Sequence, residues 1–243
     1  MVIYGVNPVR ETLSGGMLPI ERIILARGRK GREIDEILKI AAEKDITVSN
    51  DDKHHMTSLA GSRSHQGIIC ICKDYTYADI DDVIENANKN LSGHLILILD
   101  GIEDPQNLGS IIRTGYCFGV NGIIIPQNRS ATVTPTVIKV SAGAALHLPV
   151  AQVVNIARTI DYLKDRGFWI FGSDTHGHND LDFLDHHGHI CLVMGSEERG
   201  IRPLVRKKCD HFISLEMLGT FDSLNVSVAA GIIVYRLSRI LRK

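Results

Sequence analysis

DPQNLGSIIRT, residues 104–114, stands between two apolar runs, LILIL at 95–99 and GIIIP at 122–126. Short continuous apolar runs joined by a segment of helical pattern are the signature of parallel strands connected by a crossover helix. Pro105 stops any earlier helix, Asn107 is a good N-cap, and Gly119 suits the end, so a helix over 107–119 is expected. Arg113 falls among Ile111, Ile112, Tyr116 and Phe118. An arginine is rarely fully buried without a partner. Arg113 is therefore expected to reach solvent, a carboxylate, or an anion such as phosphate, which its planar fork fits.

The same pattern continues toward the C-terminus. FWIFG (168–172), ICLVMG (190–195) and HFISLE (211–216) read as further strands, with helices over 134–145, 155–167, 199–208 and 223–242. Continuous apolar strands alternating with helices indicate an α/β domain whose parallel sheet is covered on both faces, here residues 93–243. Residues 1–73 read as a small separate α/β domain. Asn7-Pro8 opens a helix through Leu13, IERIIL (20–25) is a strand, 32–45 a helix, ITVS a strand, 52–60 a weak helix, and SHQGIICICKDY the final strand. Residues 74–92 are polar and asparagine-rich and read as a linker with one short helix.

The 243 residues are 44% hydrophobic and 23% charged, a globular composition. MVIYGVNPVRETL lacks the pattern of a secretory signal and no apolar stretch is long enough to span a bilayer, so a cytoplasmic protein is expected. The five cysteines include one close pair, Cys70 and Cys72, whose spacing is one residue short of a redox or zinc knuckle; reduced thiols are expected. With a net charge of −1, nucleic acid could be bound only through local patches. RGRKGR (27–32), RPLVRKK (202–208) and RLSRILRK (236–243) are such patches.

Ligands of open parallel sheets bind beyond the carboxyl ends of the strands. Besides the opening stretch, two loops there are unusual. VMGSEERGIR (193–202) is a strand, a glycine-bounded polar turn and a helix start. Its Gly195-to-Gly200 spacing resembles a P-loop, but Ile201-Arg202 replaces the Lys-Ser/Thr that triphosphates need. LEMLGTFDSLNVSVAAGIIVYRL (215–237) leads into a helix capped by Asp222 or Ser223. Ser223, Asn225 and Ser227 supply more polar groups than one cap requires. THGHNDLDFLDHHGH (175–189) holds five histidines, and His176, His178 and Asp180 match the start of a metallohydrolase H-x-H-x-D-H signature. Leu181 replaces its last histidine and too little chain follows for the later ligands, so a hydrated loop without metal is expected.

Taken together and in this order, NLGSIIRT, VMGSEERGI and SLNVSVAAGI resemble the three motifs of the SpoU/TrmH family of RNA ribose 2′-O-methyltransferases. YGVNPVRETL and SHQGI resemble the small substrate-binding domain of its RlmB-like branch, which modifies a guanosine in 23S ribosomal RNA. The resemblance covers nearly the whole chain. It implies a catalytic domain with a deep trefoil knot (SPOUT-like), an N-terminal RNA-binding domain, a homodimer joined through the knotted regions, and S-adenosyl-L-methionine as cofactor. It implies catalytic roles for Asn107, Arg113, Glu197, Ser223 and Asn225, cofactor contacts at Gly195, Ile213, Leu215 and Leu224, and RNA contacts at Arg10, Arg27, Arg29, Lys30 and Arg32. Glu198 departs from the pattern, standing where many relatives have glycine, and leaves open which of Glu197 and Glu198 points inward. Transfer RNA is the alternative substrate within the family. A non-catalytic RNA-binding ribosome-assembly factor and a metallohydrolase are the readings outside it.

Overall fold

A computed structural model describes residues 1–15, 18–86, 91–178, 188–220 and 223–242. Packing divides the chain into two units, and they do not follow it in two blocks: residues 1–76 and 133–147 form one, residues 77–132 and 148–243 the other.

In the first unit the order is β1 (Val2–Tyr4), α1 (Val6–Gly15), β2 (Ile20–Ala26), α2 (Arg32–Glu43), β3 (Thr47–Asp51), α3 (Lys53–Ala60) and β4 (Ile68–Cys72). The sheet runs β1-β4-β2-β3, with β1 and β2 antiparallel to β4 and β3 parallel to β2. β1 was not expected. Its three residues are too few to show a period, and tertiary pairing of Ile3 with Cys70 creates it. α1 starts one residue before Asn7, so Asn7 lies inside the helix and is not its cap. α2 buries Ile34, Ile37 and Ala41, as their spacing predicts. Cys70 and Cys72 share one face of β4 as free thiols, their sulfurs 3.3 Å apart.

Residues 133–147 complete this unit. The expected helix over 134–145 is broken into α6 (Pro135–Val140) and a single 3-10 turn, Ala144–Leu146. The break falls at Ala142 and Gly143, with φ of 51° and 89°, in the left-handed region that ends helices. A β-carbon on Gly143 would lie 2.4 Å from Glu11 Cβ, so only glycine permits the close approach of α1. Tyr75 Oη donates to Ala145 O at 3.2 Å, and His147 Nε2 lies 3.2 Å from Glu11 Oε2.

The second unit contains α4 (Ile80–Glu85), β5 (Leu95–Asp100), α5 (Pro105–Cys117), β6 (Gly122–Pro126), β7 (Val150–Val153), α7 (Ile156–Lys164), β8 (Phe168–His178), β9 (His189–Gly195), α8 (Pro203–Arg206), β10 (His211–Ile213) and α9 (Val226–Ile240). Its sheet, in the order β10-β8-β9-β5-β6-β7, is parallel at every pairing. β5 is buried at all six residues and lies inside the sheet. Alternation splits it between two faces. Ile96 and Ile98 join Ile156 and Ile160 of α7 and Val205 of α8 in one cluster. Leu95, Leu97 and Leu99 face the other way. Asn121, 1% exposed, sets the start of β5 and β6: its Oδ1 accepts from Leu95 N at 2.8 Å, and its backbone oxygen accepts from Asn86 Nδ2 at 2.6 Å.

Several boundaries differ from the expectation. β7 was missed, because VAQV carries a glutamine and follows a proline. β8 runs past Gly172 to His178, and β10 ends at Ile213, short of Glu216. α8 is four residues long, because a turn closed between Ser196 and Gly200 occupies the segment expected to be helical and Pro203 starts the helix.

Ile98 tests this core. Ile98→Ala should lower the unfolding free energy by about 2–5 kcal/mol. The check is urea denaturation, with an unchanged slope and a lower midpoint.

Candidate active site

The loops after β5, β9 and β10 meet at the carboxyl end of the parallel sheet. α5 begins earlier than expected. Asp104 is its N-cap, accepting from Gln106 N at 2.9 Å, and Pro105 is its first residue. That correction releases Asn107 from capping. α9 begins later than expected: its cap is Asn225, whose Oδ1 accepts from Ser227 N at 3.0 Å and Ser227 Oγ at 2.6 Å. Ser223 is therefore outside the helix and exposed; Asp222, the other expected cap, lies outside the described residues.

The turn after β9 joins these two helix starts. Glu197 Oε1 accepts from Asn107 Nδ2 at 3.2 Å, from Asn225 Nδ2 at 2.7 Å and from Val226 N at 3.1 Å. Asn225 Nδ2 also donates to Asn107 Oδ1 at 3.0 Å. Glu197, not Glu198, is thus the carboxylate that faces the two asparagines. The turn is tight: Ser196 and Gly200 exchange backbone hydrogen bonds of 3.2 and 2.9 Å. A β-carbon on Gly195 would lie 2.2 Å from the backbone carbon of Gly200, so this position admits only glycine.

Two cavities flank the turn. The larger, about 1000 Å³, is lined by Gly195, Ile213, Leu215 and Leu224, together with Glu197 and Ser223. All the residues expected at a cofactor thus fall in one place. The smaller, about 310 Å³, is lined by Asn107, Glu197, Glu198, Arg129 and Asp104, among others. Glu197 reaches both. Sequence reasoning missed Ser173, Asp174 and Arg206 on the wall of the larger cavity. The long reach of β8 brings the first two there, and the apolar run FWIFG gave no sign of it. Cys191 and Cys209 are protonated, since burial pushes both thiols up, Cys209 to about 11. They offer no thiolate nucleophile at neutral pH.

Arg113 lines neither cavity. It sits six residues beyond Asn107, about 9 Å further along α5. Its side chain is exposed, and among the described residues it makes no hydrogen bond or ion pair. In the first unit, Arg27, Arg29 and Lys30 are exposed in the turn after β2. Arg29 is held by the oxygens of Gln66 (3.1 Å) and Lys30 (2.8 Å), Arg32 pairs with Glu36 (3.3 Å), and Arg10 donates to Asn7 Oδ1 (3.1 Å). Of the histidine-rich stretch, His176 and His178 fall on β8, while Asp180 and Leu181 lie outside the described residues.

The profile of the SpoU rRNA Methylase family matches residues 94–235. The chain belongs to that family. A second profile, RNA 2′-O ribose methyltransferase substrate binding, matches residues 2–78. A Staphylococcus aureus protein named by family assignment as a TrmH family tRNA/rRNA methyltransferase is 43% identical over 238 residues, spanning 98% of this chain and 95% of that protein. Two solved structures share the fold. The SpoU methyltransferase AviRb of Streptomyces viridochromogenes, in complex with AdoMet, has a TM-score of 0.81 at 22% identity, covering 98% of this chain and 89% of that one. The AdoMet-bound rRNA methyltransferase of Sinorhizobium meliloti has a TM-score of 0.79 at 21% identity, covering 99% and 87%. Among the described residues, no helix of this SpoU family member is long and apolar enough to cross a membrane.

The cap of α9 makes a direct test. Asn225→Ala should cost about 1 kcal/mol of stability from the lost capping oxygen. It also releases Glu197 from one donor, so a double-mutant cycle with Glu197→Ala should be non-additive in denaturation experiments.

Proposed function

We propose that this chain methylates a ribose 2′-hydroxyl of RNA with S-adenosyl-L-methionine as donor, and that its target is a guanosine in the peptidyl-transferase region of 23S ribosomal RNA. The observation that carries this is the cluster of Asn107, Glu197 and Asn225 between two cavities, its Asn107 on the helix that also presents Arg113.

The larger cavity suits the donor. Ile213, Leu215 and Leu224 give it an apolar wall. When bound, S-adenosylmethionine supplies an electrophilic methyl group on a sulfonium. The residues must align a ribose hydroxyl with that methyl, and alignment of this kind supplies about 7–11 kcal/mol in favourable cases. Glu197 fixes the relative position of Asn107 and Asn225, and Ser223 stands at the cavity wall to orient the substrate. Arg113 presents a planar guanidinium with a fixed fork of donors. It acts as a fixed positive charge that clamps the target phosphate and stabilises negative charge developing on the 2′-oxygen. The exposed Arg27, Arg29, Lys30 and Arg32, with Arg10, hold the RNA backbone in the first unit.

The second unit supports two further parts of the reading. The order β10-β8-β9-β5, with the loops after β9 and β10 lining one cavity, supports a deep trefoil knot. A homodimer is supported by exposed apolar residues at i, i+4 and i+7 of α9, namely Val228, Ile232 and Tyr235, beside exposed Tyr116 of α5. A second copy of the chain covers this stripe.

The deciding experiment maps 2′-O-methyl groups in RNA from cells with and without the protein. Loss at one guanosine of 23S RNA is expected. Loss in transfer RNA would move the substrate, and no loss would leave a non-catalytic RNA-binding factor. Arg113→Lys keeps the charge but loses the fork, and should slow methyl transfer at least roughly tenfold without changing cofactor affinity. A wild-type rate would remove the clamp. Arg27→Glu with Lys30→Glu should weaken RNA binding and flatten its dependence on salt, read by filter binding over a salt series.

A further inference from the structure

Asp100 is the last residue of β5, and in the sheet it lies in register with Gly195, the last residue of β9. Its side chain is entirely buried. A buried carboxylate persists only where donors satisfy it. Among the described residues Arg202 does so: it donates its backbone N–H to Oδ2 at 2.9 Å and its Nε to Oδ1 at 2.6 Å, with Nη2 also 2.6 Å from Oδ1.

Gly195 and Arg202 are the two ends of the turn that separates the cavities. The first is held to Asp100 by strand pairing, the second by these charge-assisted bonds. Between them, the Ser196–Gly200 pairing makes the turn rigid. Near its tip, Glu197 carries the bonds to Asn107, Asn225 and Val226. Displacing Arg202 therefore moves the wall of the larger cavity and the catalytic cluster together. A neutral side chain at position 100 could close the sheet equally well, but it could not hold both the guanidinium and the backbone of Arg202.

We propose that Asp100 is a positioning residue for the methyl-transfer reaction, acting through Arg202 to set the 195–202 turn against the cofactor. The proposal rests on the reading of the larger cavity as the S-adenosylmethionine site.

The test compares wild type with Asp100→Asn, Arg202→Gln, Arg202→Lys and the double variant Asp100→Asn/Arg202→Gln. The readouts are thermal midpoint, S-adenosylmethionine dissociation constant by calorimetry well below that midpoint, RNA affinity, and single-turnover rate. Asp100→Asn and Arg202→Gln should each raise the cofactor dissociation constant and lower the rate by roughly tenfold or more, the scale of a lost charge-assisted contact. RNA affinity of Asp100→Asn should stay within about twofold, since that substitution leaves every basic patch intact. Arg202→Lys should recover part of the loss, and the double variant should lose little more than either single one. A lower thermal midpoint with unchanged cofactor affinity and rate would overturn the proposal, because a merely structural pair gives that result. If Asp100→Asn does not fold, Arg202→Gln decides alone, as its side chain is 48% exposed and its backbone bond remains. Failure of the wild type to bind S-adenosylmethionine would instead refute the reading of the cavity.

Discussion

One carboxylate oxygen holds the site together. Glu197 Oε1 takes hydrogens from Asn107 and from Asn225 and the backbone of Val226, at the starts of two helices that sequence sets far apart. Hydrogen bonds to an ionised acceptor are shorter and roughly twice as strong as neutral ones. Here they fix the first turns of two helices to a loop that has no regular structure of its own. A neutral acceptor would hold the same shape less tightly. A lysine at either asparagine would add charge where the geometry needs a small two-sided amide, able to donate and accept at once.

The parallel sheet explains why such a cluster can exist. All its strands point their carboxyl ends the same way, so every loop that follows a strand emerges on one edge. Loops distant in sequence then become neighbours without any local attraction between them. The glycine requirement at Gly195 follows from the same crowding, since the returning chain at Gly200 passes where a side chain would be.

Much of this was legible in the sequence. LILIL, GIIIP and ICLVMG gave the buried strands because continuous burial leaves no polar alternation to confuse the reading. Gly195, Ile213, Leu215 and Leu224, which the motif resemblance singled out, line one cavity. Other features were hidden for physical reasons. Asp104 and Asn107 are both good caps, and only the fold shows that Asp104 does the capping. β1 and β7 exist because a neighbouring strand pairs with them, which local pattern cannot report. The Asp100–Arg202 pair spans 102 residues, and nothing in either neighbourhood announces it.

The second stretch of the first unit, residues 133–147, reverses the usual logic of a modular protein. α6 and the turn after it bury Val137, Ile138, Ala145 and Leu146. By packing these belong with the N-terminal strands, although by position they interrupt the methylase segment. The chain therefore leaves one unit, visits the other, and returns. Exchange of the N-terminal region between relatives, by recombination or by design, transfers only part of a core. A graft that moves residues 1–76 alone separates α6 from the segment it packs with.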